Sequence, residues 1–325
     1  MESMVYVGTV GQNVWRSRDG GETWARVGSG MLSEETIRAL VAHPANPSLL
    51  YAGTDHGVWR SENGGDTWEP LVGPMTAMHV WSLLIDARRP ERIFAGTSPP
   101  GIFRSEDGGR QWRQLPVQLV SECAGGAVIP RVTCLLPDPE RPECFWAGVE
   151  IDGVRRTEDG GDTWTAHNEG LTTLDIHGLA VLPGSGSTPL RLVATTNADI
   201  FLSDDRGASF RALRVKGALP WSYCRGVQAA PDNPSVLYAG IGSGPPGDVG
   251  GLARSRDRGE TWESVPLPVT PNSTIWNLAT NAADPRLWFG SSVSGYVYRS
   301  RDGGATWEKL AREFGEIRAL LWVPR

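Results

Sequence analysis

The chain has 325 residues and a formal net charge of −6, and it combines 40 glycines with 14 tryptophans. That much glycine, with 24 prolines, excludes a helical bundle, since both residues destabilise helix interiors, while an apolar content of 40% excludes a disordered chain. The excess of Asp and Glu (37) over Lys and Arg (31) argues against a dedicated nucleic-acid binder, which needs a basic footprint.

The first eight residues have no basic segment and no long apolar core, so no secretory signal is read there. No run of 18 apolar residues occurs, and no membrane span is expected. Cys123, Cys134, Cys144 and Cys224 lie far apart without a C-x-x-C pair. They read as reduced thiols, and a cytoplasmic location is expected unless an export signal has been removed.

In chain order, Val5-Tyr6-Val7-Gly8 reads as a short strand, and the octapeptide Ser17-Arg18-Asp19-Gly20-Gly21-Glu22-Thr23-Trp24 follows it. The octapeptide returns at 61–68, 105–112, 157–164, 203–210, 255–262 and 300–307, the starts being 44, 44, 52, 46, 52 and 45 residues apart. Upstream of each copy stands an apolar segment, in several copies ending in glycine, such as Leu50-Tyr51-Ala52-Gly53, then a turn and an alternating segment such as Gly57-Val58-Trp59-Arg60-Ser61. A short strand follows, and another apolar run such as Ile37-Arg38-Ala39-Leu40-Val41-Ala42 separates the units. Four short strands at this period predict a propeller blade. The chain opens on a second strand and ends on an orphan first strand, Ile317-Arg318-Ala319-Leu320-Leu321-Trp322. The expectation is all-β: one domain over 1–325, a seven-bladed β-propeller of four-stranded blades, closed by pairing the N- and C-terminal strands in one blade.

The octapeptide resembles the Asp-box, or bacterial neuraminidase repeat, Ser/Thr-x-Asp-x-Gly-x-Thr-Trp. The resemblance covers essentially the whole chain and is shared with the propellers of sialidases, xyloglucan-cleaving endoglucanases, sortilin-type receptors and photosystem assembly factors. So wide a range leaves function to be argued from sites. The box itself reads as architecture: its Asp accepts backbone N–H groups in a tight turn, glycine supplies positive φ and Trp covers the turn. Asn63 replaces the Asp in the second copy and Phe210 the Trp in the fifth.

The resemblance implies that a ligand binds on the face opposite the boxes. Aligning the first strands gives one position per blade near that face: Arg318, Arg38, Trp81, Thr133, His177, Arg225 and Trp276. Fixed cations beside flat aromatics suit an anionic or carboxylate-bearing ligand, or a sugar stacked on indole. Arg38, Trp81, His177, Arg225, Trp276 and Arg318 are therefore the candidate ligand-binding residues. The insertion over 116–131 and the Gly-rich turn over 242–251 enlarge loops on the same face. That turn lacks the Gly-Lys-Ser/Thr ending of a phosphate loop.

Histidines 56, 79, 167 and 177 fall towards the ligand face, none with metal-ligand spacing. No metal and no cofactor is expected. The stretch from Val41-Ala42-His43-Pro44 to Thr54-Asp55-His56-Gly57 resembles the start of xyloglucan endoglucanases, which implies a catalytic role for Asp55. Those enzymes place their cleft between two propellers. Glu150 and Asp152 on a corresponding turn are the alternative carboxylates, and His177 is the candidate base for lyase chemistry. A glycosidase needs two acids flanking the bond, about 5 to 10 Å apart. The sequence thus predicts a binding propeller for a small anionic or sugar-like ligand, or an acidic peptide. Glycoside hydrolase or uronate lyase activity and a protein-interaction scaffold are the alternatives.

Overall fold

A computed structural model describes residues 3–123 and 129–325. Among those residues the strands form seven four-stranded sheets, with no helix. Six sheets use four consecutive strands; in the seventh, Ile317–Pro324 pairs with Ser3–Thr9, followed by Val14–Ser17 and Ala25–Arg26. This is the seven-bladed β-propeller arrangement expected from the repeats, with one blade built from both termini. Residues Ala124, Gly125 and Gly126, part of the insertion noted above, lie outside the described residues.

The chain divides into two compact units, Met1–Thr165 with Arg318–Arg325, and Ala166–Ile317. The first carries the blades whose first strands are Ile317–Pro324, Ile37–His43, His79–Ile85 and Val132–Pro137. The second carries those beginning with Ile176–Leu182, Tyr223–Ala230 and Ile275–Ala279.

Second strands such as Ile93–Ser98 and Phe145–Val149 are buried along their whole length, which is why they read as continuous apolar runs. Tyr51, Val80, Leu83, Ile93, Ala95 and Phe103 form one core cluster of the first unit, and Val193, Ile200, Leu202, Leu237 and Ala239 belong to one of the second. The glycine ending the second strand allows the next blade to pack closely. A Cβ on Gly53 would lie 2.6 Å from the Val80 carbonyl oxygen, and one on Gly240 would lie 2.1 Å from that of Ile275.

The boxes form the turns between third and fourth strands. In the first, Asp19 Oδ1 accepts the Glu22 and Thr23 amides at 3.0 and 2.9 Å, and Thr23 Oγ1 donates to Oδ2 at 2.5 Å. Ser17 Oγ accepts the Gly21 amide at 2.7 Å, and Trp24 Nε1 donates to the Gly21 carbonyl at 2.9 Å. These partners account for the pattern Ser-x-Asp-x-Gly-x-Thr-Trp atom by atom. Asn63 keeps the scheme with one bond reversed, its Nδ2 donating to Thr67 Oγ1 at 2.8 Å. The tyrosine of the second strand ties each of three boxes to the preceding blade: Tyr6 Oη donates to the Gly64 carbonyl, Tyr51 to Gly108 and Tyr238 to Gly303, at 3.0, 3.1 and 3.2 Å.

Candidate functional site

At the end opposite the box, the first strand of each of the six blades built from consecutive strands carries a bulge. Ile37 pairs with Thr54 and Ala39 with Gly53, so Arg38 has no partner across the ladder. The same slip isolates Trp81 between Val80 and Ser82, and Thr133 between Val132 and Cys134. In the second unit it isolates His177 and Trp276, and it spans Arg225 with Gly226 between Cys224 and Val227. A bulge frees a residue from the pleat and re-aims its side chain. Six of the seven positions aligned from the sequence are thus bulge residues.

In the first unit these bulges gather guanidinium groups on one indole. The Arg38 Cζ lies 4.2 Å from the Trp81 ring centroid, that of Arg131 4.0 Å and that of Arg318 5.8 Å. Arg38 and Arg131 come from the blades on either side of Trp81. Each such stack contributes about 0.5 to 2 kcal/mol, more as water is excluded. The Trp81 Nε1 is buried with no hydrogen-bond acceptor among the described residues. A sugar ring would have to displace a guanidinium to stack on this indole.

Two carboxylates hold these arginines in place. Asp55, on the turn after Asn46–Thr54, pairs with Arg38, and His79 Nε2 lies 3.9 Å from the same oxygen. Glu150 Oε1 accepts from Arg131 Nη2 at 2.6 Å. Asp152 pairs with Arg155 at 2.5 Å and accepts the Val120 amide at 3.2 Å. Each proposed acid is therefore engaged by an arginine, whereas a general acid must carry its proton to a leaving group. On the outer side of the same turn, His56 Nδ1 faces both oxygens of Glu35 at 3.0 and 3.1 Å, and the Glu35 side chain is 0% exposed.

In the second unit the Arg225 Cζ stands 4.2 Å from the Trp276 centroid, repeating the arginine-on-next-blade-tryptophan stack of Arg38 and Trp81. His177 Nδ1 donates to the Cys224 carbonyl at 2.8 Å, its Nε2 lies 3.2 Å from Asp175 Oδ2, and its ring packs 4.8 Å from Tyr223. Burial, reinforced by the Arg225 charge, lowers the His177 pKa below its ordinary 6.5. With Nδ1–H donated to the Cys224 carbonyl, a neutral His177 carries its lone pair at Nε2, which is turned to Asp175 in a nearly closed setting, the side chain being 2% exposed. Burial pushes the Cys224 thiol up to about 12, so it is inert at neutral pH. The Gly-rich turn over 242–251 closes on itself. Ser243 Oγ accepts the Asp248 amide at 3.0 Å, so that N–H does not face a phosphate.

Arg131 and Glu35 were not among the residues singled out from the sequence, and His56 was named there without its partner. Arg131 precedes its bulge by two positions, where the alignment holds the short Thr133, whose Oγ1 donates to the Gly148 carbonyl at 3.1 Å. The conspicuous signal was an arginine at the end of an insertion, immediately before an apolar strand.

Comparison with known proteins agrees with this architecture. The family described as Sortilin, neurotensin receptor 3 matches residues 12–124, and the BNR/Asp-box repeat matches residues 298–309. The chain carries Asp-box repeats on a β-propeller fold. A probable oligoxyloglucan-reducing end-specific xyloglucanase of Neosartorya fischeri is 24% identical over 197 residues, 55% of this chain and 23% of that protein. The chain spans less than a quarter of the length of the curated relatives it matches. Among solved structures, a GH74 enzyme of Niastella koreensis superposes with a TM-score of 0.65 at 18% identity, covering 84% of this chain and 45% of its own. YCF48 bound to D1 peptide superposes with a TM-score of 0.58 at 16% identity, covering 85% and 81%. Identities this low establish the shared fold. Among the described residues, no helix of this propeller is long and apolar enough to cross a membrane.

Proposed function

We propose that this propeller is a ligand-binding module whose site in the first unit receives an anionic group among Arg38, Arg131 and Arg318. The observation that carries this reading is the convergence of three guanidinium groups on Trp81. Guanidinium groups recognise carboxylate and phosphate through paired, charge-assisted hydrogen bonds, and indole packing reduces their freedom before the ligand arrives. Asp55 and Glu150 act as resident counter-ions that a ligand anion replaces. A thermal-shift screen of uronic acids, acidic peptides and neutral xyloglucan oligosaccharides tests this. Stabilisation by the acidic compounds, lost in Arg38→Ala, is expected; stabilisation undiminished in Arg38→Ala contradicts it.

The xyloglucanase relatives favour a second reading, glycoside hydrolysis with Asp55 as one acid. That chemistry needs a second carboxylate across the scissile bond. The ion pairs of Asp55, Glu150 and Asp152 with arginines weigh against it. Release of reducing ends from xyloglucan by the wild type, abolished in Asp55→Asn, would put this reading first.

A further inference from the structure

We infer that anion binding at Trp81 is coupled to uptake of a proton by His79, because the entering anion drives Asp55 from Arg38 to the imidazole. This rests on the anion-binding reading above and names how pH governs that same site. Arg38 and Arg131 each carry a resident carboxylate, Asp55 and Glu150 respectively. An anion that claims either guanidinium leaves a carboxylate behind, and a carboxylate stripped of its partner in a partly closed site costs free energy.

The two counter-ions are not equally replaceable. The Glu150 side chain is 9% exposed and that of Asp55 25%, so Asp55 keeps more contact with water as it moves. Asp55 also has a second basic group at hand. His79 Nε2 stands 3.9 Å from the same Oδ1 that Arg38 holds. That separation is too long for a hydrogen bond, and a small swing of the Asp55 carboxylate away from Arg38 closes it. The imidazole is open to a proton from solvent, its side chain being 49% exposed.

The surroundings of His79 leave Asp55 as the group that decides its charge. His79 opens the strand His79–Ile85, two positions before Trp81, and pairs across its sheet with the uncharged Ser98. The connection over 72–78 that leads into it has no ionisable side chain. Asp55 faces it from the turn of the preceding blade with Arg38 behind, and His56 on that turn is engaged by Glu35. From the following blade Arg131 approaches Trp81, paired there with Glu150. With Asp55 on Arg38, the guanidinium offsets the attraction of the carboxylate for a proton on the imidazole. With the anion on Arg38, Asp55 is released to stabilise the imidazolium. The liganded state therefore binds more protons. Linkage makes affinity rise as pH falls through the imidazole range, by at most about tenfold per unit for one proton.

Isothermal titration of D-glucuronate in two phosphate-free buffers of unlike protonation enthalpy tests the inference, with unchanged thermal unfolding of each variant checked first. The wild type should take up a fraction of a proton per anion bound at about pH 7, and should bind about fivefold or more tighter at about pH 6 than at about pH 8. His79→Gln should lose both the uptake and the pH response, and should match the wild type at about pH 8, where the imidazole is neutral. Asp55→Asn, with no carboxylate to hand over, should also lose the uptake and bind at least as tightly as the wild type. Wild-type binding without proton uptake, or uptake that persists in His79→Gln, overturns the coupling and leaves the anion site standing. Glucuronate binding absent from the wild type, or undiminished in Arg38→Ala, overturns the anion reading itself.

Discussion

Asp19 and Asp159 feel opposing influences. Partial burial pushes their carboxyls up, but hydrogen bonds from Thr23, Ser17 and the Glu22 amide outweigh it at Asp19, and those from Thr163, Thr157 and the Asp162 amide outweigh it at Asp159. Both are held at about 2 instead of 3.8. A carboxylate with a lower pKa folded than unfolded stabilises the fold above its unfolded value, and that contribution disappears as pH falls towards the folded value. Acid unfolding should therefore steepen between about pH 4 and pH 2, and Asp19→Asn should flatten part of that loss. Asn63, already in this role, shows that an amide fits the turn. At neutral pH, urea titration should find Asp19→Asn milder than Asp19→Ala, which removes several accepted hydrogen bonds at a cost of about 1 to 3 kcal/mol.

At the scale of the element, the box turn has a backbone requirement that two copies meet at a cost. The first glycine of the box has a φ of 72° at Gly20, whereas Arg206 and Arg258 occupy the same place with φ of 60° and 62°. A left-handed conformation costs a side-chain-bearing residue about 1 to 2 kcal/mol. Arg258 offsets this by donating to the carbonyls of Pro183 and Pro189, both at 3.1 Å. Arg258→Ala should lose those bonds and keep the strain, while Arg258→Gly loses both. Denaturant titration should place the glycine variant above the alanine variant by about 1 kcal/mol, and the reverse order would show that the turn tolerates a Cβ freely.

The positions that proved to be bulges were legible in the sequence, although the bulges themselves were not. Arg38, Trp81 and Trp276 interrupt otherwise regular apolar strands at the same point of the repeat, so aligning the copies located them. The partners of those residues were not legible. Asp55 meets Arg38 across a 17-residue separation and Glu150 meets Arg131 across 19, through turns whose side-chain directions the repeat does not encode. Arg131 escaped because its guanidinium reaches Trp81 from two residues before the bulge, where the repeat holds no shared residue type.

At the scale of the whole molecule, the net charge of −6 gives no sign of where cations collect. The repeat distributes acids to the turns at one end of each blade, Asp19, Asp107, Asp159, Asp205, Asp257 and Asp302 among them, while the bulges at the other end carry Arg38, Arg225 and Trp81. On the proposed anion site, fold and function use separate residues. A box substitution should lower stability and leave ligand affinity unchanged, and a substitution at Trp81 or its arginines should do the reverse.

Arg131 provides the most direct test of that separation, because it was identified by geometry and lies outside the repeat. Isothermal titration of the acidic ligand selected by the thermal-shift screen should compare the wild type with Arg131→Ala at low and at physiological salt. The account predicts at least about a tenfold loss of affinity in the variant, with wild-type binding weakening as salt screens the guanidinium groups. Equal affinity in the two proteins, or wild-type binding indifferent to salt, would contradict an anion site at Trp81.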